Sequence, residues 1–251
     1  MNILLTNDDG IHAEGLWAVQ KALSAEHEVC VVAPDKERSA VGHSITLMHP
    51  LIINKVHTNG GWGYAVSGTP ADCVKLAVRE ILDTRPDMVV SGINPGPNVG
   101  INIHYSGTVS AAKEAALMGL KAIAVSQGPG ENRGFEHTAA FVSSLIRRIM
   151  DKGLPAATFL NVNVPACAPE KIKGVRITRQ AIAPLREKFH KRIDPRNRTY
   201  YWQGMDTQVL DEAPDTDGTA LGGNCISITP IRCDMTDYDA MEQLESWNLK
   251  M

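Results

Sequence analysis

The stretch Asn2-Ile3-Leu4-Leu5-Thr6-Asn7-Asp8-Asp9-Gly10 decides the fold. Residues 2–6 are an apolar-rich run too short for a helix and suited to a buried strand. Asn7-Asp8-Asp9-Gly10 then closes the run with two adjacent carboxylates and a glycine that permits a sharp turn. Apolar residues at 16, 19 and 23 follow at helical spacing, so residues 15–23 read as a helix. Residues 28–33 are a second apolar run, closed by Pro34. Strand, helix and strand in that order are the start of a parallel βαβ unit.

The pattern continues outward. Residues 45–56 read as extended, with Pro50 marking an edge or a bend. Residues 64–67 are a short strand. Thr69 before Pro70 reads as an N-cap with proline at the first helical position, opening a helix to about Leu82. Residues 86–91 form a buried-strand pattern, and 108–118 an alanine-rich helix ended by Gly119. Residues 121–126 are a strand, 137–150 a helix and 158–164 a strand. The fold class is therefore α/β, a doubly wound and mostly parallel sheet. Ligands in such folds sit beyond the carboxyl ends of the strands.

Past residue 165 the pattern changes. Residues 171–179 and 224–231 are strand candidates, and 237–249 a short terminal helix. The stretch 183–220 is polar and rich in proline and charge. It is too long for an ordinary loop and too poor in apolar residues for a core of its own. It reads as an arm that packs elsewhere, such as on another subunit. The expected division is a catalytic domain over 1–180, with an oligomerisation arm and tail over 181–251.

Composition narrows the class. With 43% hydrophobic and 21% charged residues and a net charge of −3, the 251-residue chain is neither disordered nor a generally basic nucleic-acid binder. No apolar run approaches a membrane span, and the N-terminus lacks the marks of a signal peptide. The five cysteines, Cys30, Cys73, Cys167, Cys225 and Cys233, form no C-x-x-C pair, so a disulfide framework or zinc ribbon is not expected. A reduced, cytoplasmic location is the expectation. The small net charge hides two blocks. Residues 171–198 carry ten basic and two acidic residues, and 199–251 carry two basic and ten acidic. Such blocks attract within or between subunits in a salt-sensitive way and would help seat the arm.

Adjacent carboxylates repel unless a cation or proton compensates. Asp8 and Asp9 at a strand end suit a metal site, although a turn with an Asx cap uses the same residues. Haloacid-dehalogenase phosphatases need Asp-x-Asp, which is absent. Response-regulator receivers need an aspartate where this chain has Ser91-Gly92-Ile93-Asn94, and neutral Asn94 cannot take a phosphoryl group as aspartate does. Ser39 follows the second strand, and Asn94 opens a loop rich in glycine, proline and asparagine. Oxygen donors Asp8, Asp9, Ser39 and Asn94 at strand ends would suit Mg²⁺ or Mn²⁺ rather than zinc. Tyr105-Ser106-Gly107-Thr108 opens a helix, whose free N–H groups and dipole favour an anion. A plain Ser/Thr cap accounts for the same residues. Neither G-x-x-x-x-G-K-[ST] nor G-x-G-x-x-G nor G-x-S-x-G occurs. His43 and His104 are the histidines nearest these motifs.

Together, Asn7-Asp8-Asp9-Gly10, Ala33-Pro34-x4-Ser39, Ser67-Gly68-Thr69-Pro70-Ala71-Asp72-Cys73, Ser91-Gly92-Ile93-Asn94-x3-Asn98-x-Gly100 and Tyr105-Ser106-Gly107-Thr108-Val109-x-Ala111-Ala112 resemble the SurE family of stationary-phase survival proteins. Thr216-Asp217 and Ser227-Ile228-Thr229-Pro230 extend the resemblance over nearly the whole chain. It implies a Rossmann-like core with an extended C-terminal β arm exchanged between subunits of a homodimer or homotetramer. It implies a metal-dependent 5′-nucleotidase with one divalent cation per subunit, Mg²⁺ or Mn²⁺. The substrates would be nucleoside 5′-monophosphates, with 3′-monophosphates and short polyphosphate as further candidates. The family's metal positions carry onto Asp8, Asp9, Ser39 and Asn94, and its phosphate contacts onto Asn98, Ser106, Gly107 and Thr108. Asp8 and Asp9 would serve catalysis. One departure is Ala40, where glycine is frequent in the family; alanine is accommodated there unless the backbone needs positive φ.

Two rival routes stay open on the sequence. A water oriented or deprotonated by Asp8 or Asp9 could attack phosphorus, or Asp8 could form an aspartyl-phosphate. A non-catalytic nucleotide-binding stress sensor is the reading from a different class. RNA or polyphosphate could instead meet the basic block, but a solvated, arm-anchoring face is the favoured account of it.

Overall fold

A computed structural model of the chain describes residues 1–130, 134–183, 185–186, 188–204, 207–208 and 213–249. The first half alternates as expected. In order come β1 (Asn2–Thr6), α1 (Glu14–Leu23), β2 (Glu28–Pro34), β3 (Ile53–Thr58), β4 (Gly61–Val66), α2 (Pro70–Leu76) and β5 (Met88–Pro95). Then follow α3 (Gly107–Leu117), β6 (Lys121–Gly130), α4 (Glu136–Lys152), β7 (Thr158–Ala166) and β8 (Val175–Ile177). The remainder is β9 (Leu185–Arg186), β10 (Phe189–Ile193), β11 (Thr199–Gln203), β12 (Thr207–Gln208), α5 (Asp217–Gly222), β13 (Ile226–Arg232) and α6 (Tyr238–Glu245).

Nine strands form one mostly parallel sheet in the order β3-β4-β2-β1-β5-β6-β7-β13-β8. β1 pairs in parallel with β2 on one side and β5 on the other, so the winding reverses at the β1–β5 junction. That switch point opens a crevice at the carboxyl ends of both strands. β1 is apolar because both its faces are covered. Ile3 and Leu5 enter the core under α1 and α4, while Leu4 enters the opposite core under α2 and α3. Ala111, Ala112 and Ala115 let α3 lie close on its face, and all three are fully buried.

The differences from the sequence reading have local causes. Residues 45–52 form no strand; Thr46 N–H donates to Asp72 and Ile52 N–H to Ser67 Oγ, and the ladder begins only at Ile53. Thr69 and Asp72 form a full capping box with Pro70 in the first turn, but the helix changes to a π-helical turn over Ala77–Ile81. β5 and β6 run past their expected ends to Pro95 and Gly130, across register shifts that let the chain bend at the crevice. Over 171–179 only Val175–Ile177 is a strand. β13 returns to the main sheet between β7 and β8, antiparallel to the first and parallel to the second.

β10 and β11 make an antiparallel hairpin whose side chains are all exposed. The basic and acidic blocks meet within the chain at Arg179–Asp215, 2.8 Å apart. All five cysteines are free thiols. Among the described residues no helix is long and apolar enough to cross a membrane.

Candidate active site at the sheet switch point

The turn after β1 is closed by its own asparagine. Asn7 Nδ2 donates to the Gly10 carbonyl at 3.0 Å, and Gly10 N–H donates to Asn7 Oδ1 at 3.2 Å. Gly10 holds φ +99, and a Cβ there would lie 3.1 Å from the Lys36 backbone, so glycine is required. Arg38 N–H donates to the Asp8 carbonyl at 2.7 Å, which ties the Ser39 loop to the turn.

Asp8 is buried and met by the start of α3. The Thr108 hydroxyl donates to Asp8 Oδ1. A Cβ on Gly107 would lie 2.7 Å from Asp8 Cβ and 2.9 Å from Oδ2, so only glycine lets the helix approach this closely. Burial raises the Asp8 pKa, against the opposing pull of the Thr108 hydroxyl and of the Thr108 and Gly107 backbone. Ser106 is the N-cap, its Oγ accepting from Val109 N–H at 3.1 Å. Thus three of the four expected phosphate contacts sit at one helix start, and Gly107 and Thr108 already face a carboxylate there.

Asp9 is pushed up to about 7 by burial, then by the Asp8 charge and the Glu37 charge. Its Oδ2 is buried and accepts no hydrogen bond. Ser39 is joined to this group through Glu37, its hydroxyl donating to Glu37 Oε1 at 2.5 Å and leaving oxygen lone pairs free. Asn94, at the end of β5, donates Nδ2 to the Gly96 carbonyl at 2.7 Å, so its amide oxygen is the atom left for a cation. Among the described residues no three His, Cys, Asp or Glu side chains cluster as metal ligands. The oxygen set available is two carboxylates, a hydroxyl and an amide, which fits a hard divalent cation. The orphaned Asp9 oxygen and the mutually repelling carboxylates are what such an ion would relieve.

Asn98 is held by residues the sequence reading missed. Its N–H donates to Asn163 Oδ1 at 2.8 Å, and its carbonyl accepts from Asn161 and Asn163 Nδ2 at 2.7 and 3.1 Å. Its own Nδ2 donates to Ser126 Oγ at 2.8 Å. The signal was present in Asn161-Val162-Asn163, two amides on one face of a strand buried on both sides. Asp217 was also given no role. Its buried carboxylate accepts N–H bonds from Gly100 at 2.8 Å, Ala181 at 3.2 Å and Gly218 at 2.8 Å, joining the site loop to the segments around Ala181 and Gly218. His43 lies 2.8 Å from Glu114 on α3, and His104 lies 3.2 Å from Gln180. Both bridge loops to neighbouring elements. Ala40 carries φ +55, so the condition under which alanine is strained there is met.

Comparison with known proteins agrees over the full length. Residues 3–187 match the family described as Survival protein SurE. A 5′-nucleotidase SurE of Desulfatibacillum aliphaticivorans is 56% identical over 251 residues, covering 100% of this chain and 99% of that protein. One of Syntrophobacter fumaroxidans is 49% identical, covering 99% of this chain and 100% of that protein. The crystal structure of the SurE protein from Aquifex aeolicus superposes with a TM-score of 0.86 at 39% identity, covering 99% of this chain and 100% of that one.

Proposed function

Because this chain belongs to the SurE family, we propose that it is a metal-dependent 5′-nucleotidase that hydrolyses nucleoside monophosphates to nucleoside and phosphate. One observation carries the reading. Asp9 has a buried, unpartnered oxygen beside two further carboxylates, at the switch point where this fold class binds ligands.

Asp8, Asp9, Ser39 and Asn94 would hold one divalent cation, Mg²⁺ or Mn²⁺. When bound, the ion supplies charge neutralisation for the phosphate and a lowered pKa for water. The protein's own groups do the rest. The Thr108 hydroxyl fixes the Asp8 carboxylate so that one oxygen keeps a set direction. Asp8 or Asp9 would orient the attacking water or take its proton. The α3 start, with Ser106, Gly107 and Thr108, and the Asn98 amide offer donors for the phosphate oxygens as charge shifts.

Phosphate release from a nucleotide panel with Mn²⁺, with and without chelator, tests the reading. Release that the chelator stops is expected; binding without release would make the protein a sensor instead. Asp8→Asn should abolish turnover with the fold intact, and wild-type turnover in that variant would sink the assignment. Single-turnover incorporation of labelled water, with a search for phosphoenzyme, separates direct water attack from an aspartyl-phosphate. The same panel ranks 3′-monophosphates and short polyphosphate against 5′-monophosphates.

Exposed apolar area supports a reading of the assembly. Phe189, Ile193, Tyr200, Tyr201 and Trp202 of the β10–β11 hairpin all face solvent in a single chain. An isolated hairpin is marginal in water. We infer that residues 181–251 serve as an arm and tail to the 1–180 catalytic domain, exchanged in a cytoplasmic homodimer or homotetramer. Sedimentation at low and high salt measures both the state and the contribution of the opposed charge blocks.

A further inference from the structure

A cavity of about 600 Å³ opens beside Asp9, on the α1 and α4 side of the sheet. That volume lies within the range of small-molecule sites. Its walls are Ala13 at the start of α1, Ile93 and Gly96 after the β5 bend, Gly128 and Gly130 on the β6 extension, and Phe135 before α4. The walls are set by close approach. A Cβ on Gly15 would lie 2.2 Å from the Ile93 carbonyl oxygen, so α1 sits directly on the end of β5. A Cβ on Gly130 would lie 2.0 Å from the Ala166 carbonyl oxygen, which fixes the far wall in the same way. Gln127 also lines the cavity, accepting from the Thr138 hydroxyl at 2.6 Å and donating Nε2 to the Gly134 carbonyl at 3.1 Å. The second of these bonds holds Gly134, the residue before Phe135. The slot is built before any ligand arrives.

Its chemistry excludes one half of a nucleotide and suits the other. The charged side chains lining it are Asp9 and Glu14, both carboxylates, and among the described residues no lysine or arginine lines it. A phosphate dianion is repelled there. An uncharged ring suits the rest of the described lining, which besides Gln127 is glycine, proline, Ala13, Ile93, Ala166 and the aromatic Phe135. Asp8 and Asp9 are consecutive at the strand end, with Asp8 against α3 and Asp9 at the mouth of this slot. The geometry points to the slot as the seat of the substrate's nucleoside. Its base lies against Phe135 and its phosphate reaches back across Asp9 to the α3 start. This rests on the nucleotidase reading and adds to it the residues that select nucleotides over other phosphomonoesters. Among the described residues no charged group lines the slot beyond the two carboxylates, which leaves shape and stacking for recognition, and these tolerate different bases.

The test compares kcat/KM for AMP and for ribose 5-phosphate, which lacks the base, in the Mn²⁺-loaded enzyme. Wild type should favour AMP, and Phe135→Ala should lower the AMP to ribose 5-phosphate ratio about tenfold, mainly through KM for AMP, as loss of one base–aromatic stack predicts. Ala13→Leu, which narrows the slot from its α1 wall, should lower the ratio as well and serves if Phe135→Ala fails to fold. A ratio within about twofold of wild type in the folded variant overturns the slot while AMP hydrolysis leaves the nucleotidase reading standing. Equal use of both substrates by wild type overturns it too. Release of phosphate from neither substrate by wild type overturns the nucleotidase reading itself, and the slot with it.

Discussion

The Thr108 hydroxyl donates a hydrogen bond to Asp8 Oδ1, linking the first helical turn of α3 to the end of β1 across a hundred residues of sequence. Donation to a charged acceptor contributes about 1.5–3 kcal/mol, and its loss leaves a buried carboxylate short of a partner. Thr108→Val keeps the shape and removes the donor. We expect kcat to fall about tenfold to a hundredfold, since about 1.4 kcal/mol is one decade in rate. Thr108→Ser should restore most of it. Steady-state kinetics of the three proteins check this, and a Thr108→Val enzyme with wild-type kcat would show that the bond is only structural.

Asp9 makes cation binding depend on pH. With its carboxyl held up to about 7 by burial and by its acidic neighbours, a proton competes with the ion near neutrality. A raised carboxylate pKa means that the ion-free fold favours the protonated form, so ion binding must release that proton below about pH 7 and none well above it. The rise in Tm given by Mn²⁺ should therefore grow from pH 6 to pH 8. Glu37→Gln removes the Glu37 charge, which also raises the Asp9 pKa, without taking away a proposed ligand, and should move that rise to lower pH. Differential scanning fluorimetry against pH, with and without Mn²⁺, measures both.

The doubly wound core was legible because β1, β2, β5, β6 and β7 are buried on both faces and must be short apolar runs. The acidic turn was legible because consecutive carboxylates followed by a glycine at the end of an apolar run mark a sharp turn, whether the carboxylates cap it or hold a cation. The Asn161–Asn163 cradle was not, because its role depends on β7 lying beside β6 with its ends level, and pairing is invisible to local pattern. Residues 45–52 were misjudged for a related reason. Their β-like composition is answered by side chains, Asp72 and Ser67, rather than by a neighbouring strand. β13 read correctly as a strand, yet nothing local showed that it would cross back to pair with β7.

Glu114 ties three elements together away from the reacting centre. Its buried carboxylate lies 2.8 Å from His43 Nε2 and 3.2 Å from Lys75 Nζ. The His43 hydrogen bond, then Lys75, hold its pKa below the usual glutamate value of 4.5, against the upward pull of burial. A depressed carboxylate adds stability that is fully present above about 4.5 and is lost as the pH falls through the lower, folded value. Glu114→Gln should lower Tm at pH 7, at a cost of about 1–3 kcal/mol for a half-satisfied buried group. It should also flatten the Tm loss that wild type shows between pH 5 and pH 3. Equal acid sensitivity in both proteins would mean that other carboxylates govern that transition.

Ala40 follows Ser39 with φ +55, in the left-handed region that costs a residue with a Cβ about 1–2 kcal/mol. It is exposed, so its methyl group gains little by packing. Glycine at this position removes the strain but returns about 0.4–1 kcal/mol of freedom to the unfolded chain. The balance favours Ala40→Gly by about 1 kcal/mol, or roughly 2–4 °C in Tm for a chain of this size. Because the substitution also relaxes the loop that carries Ser39, it separates stability from function. If the strain positions the Ser39 hydroxyl, the more stable variant should need more Mn²⁺ for half-maximal turnover. If the strain is incidental, Tm rises and the metal dependence stays where it was. A Tm that fails to rise would mean that the loop does not hold Ala40 left-handed in solution.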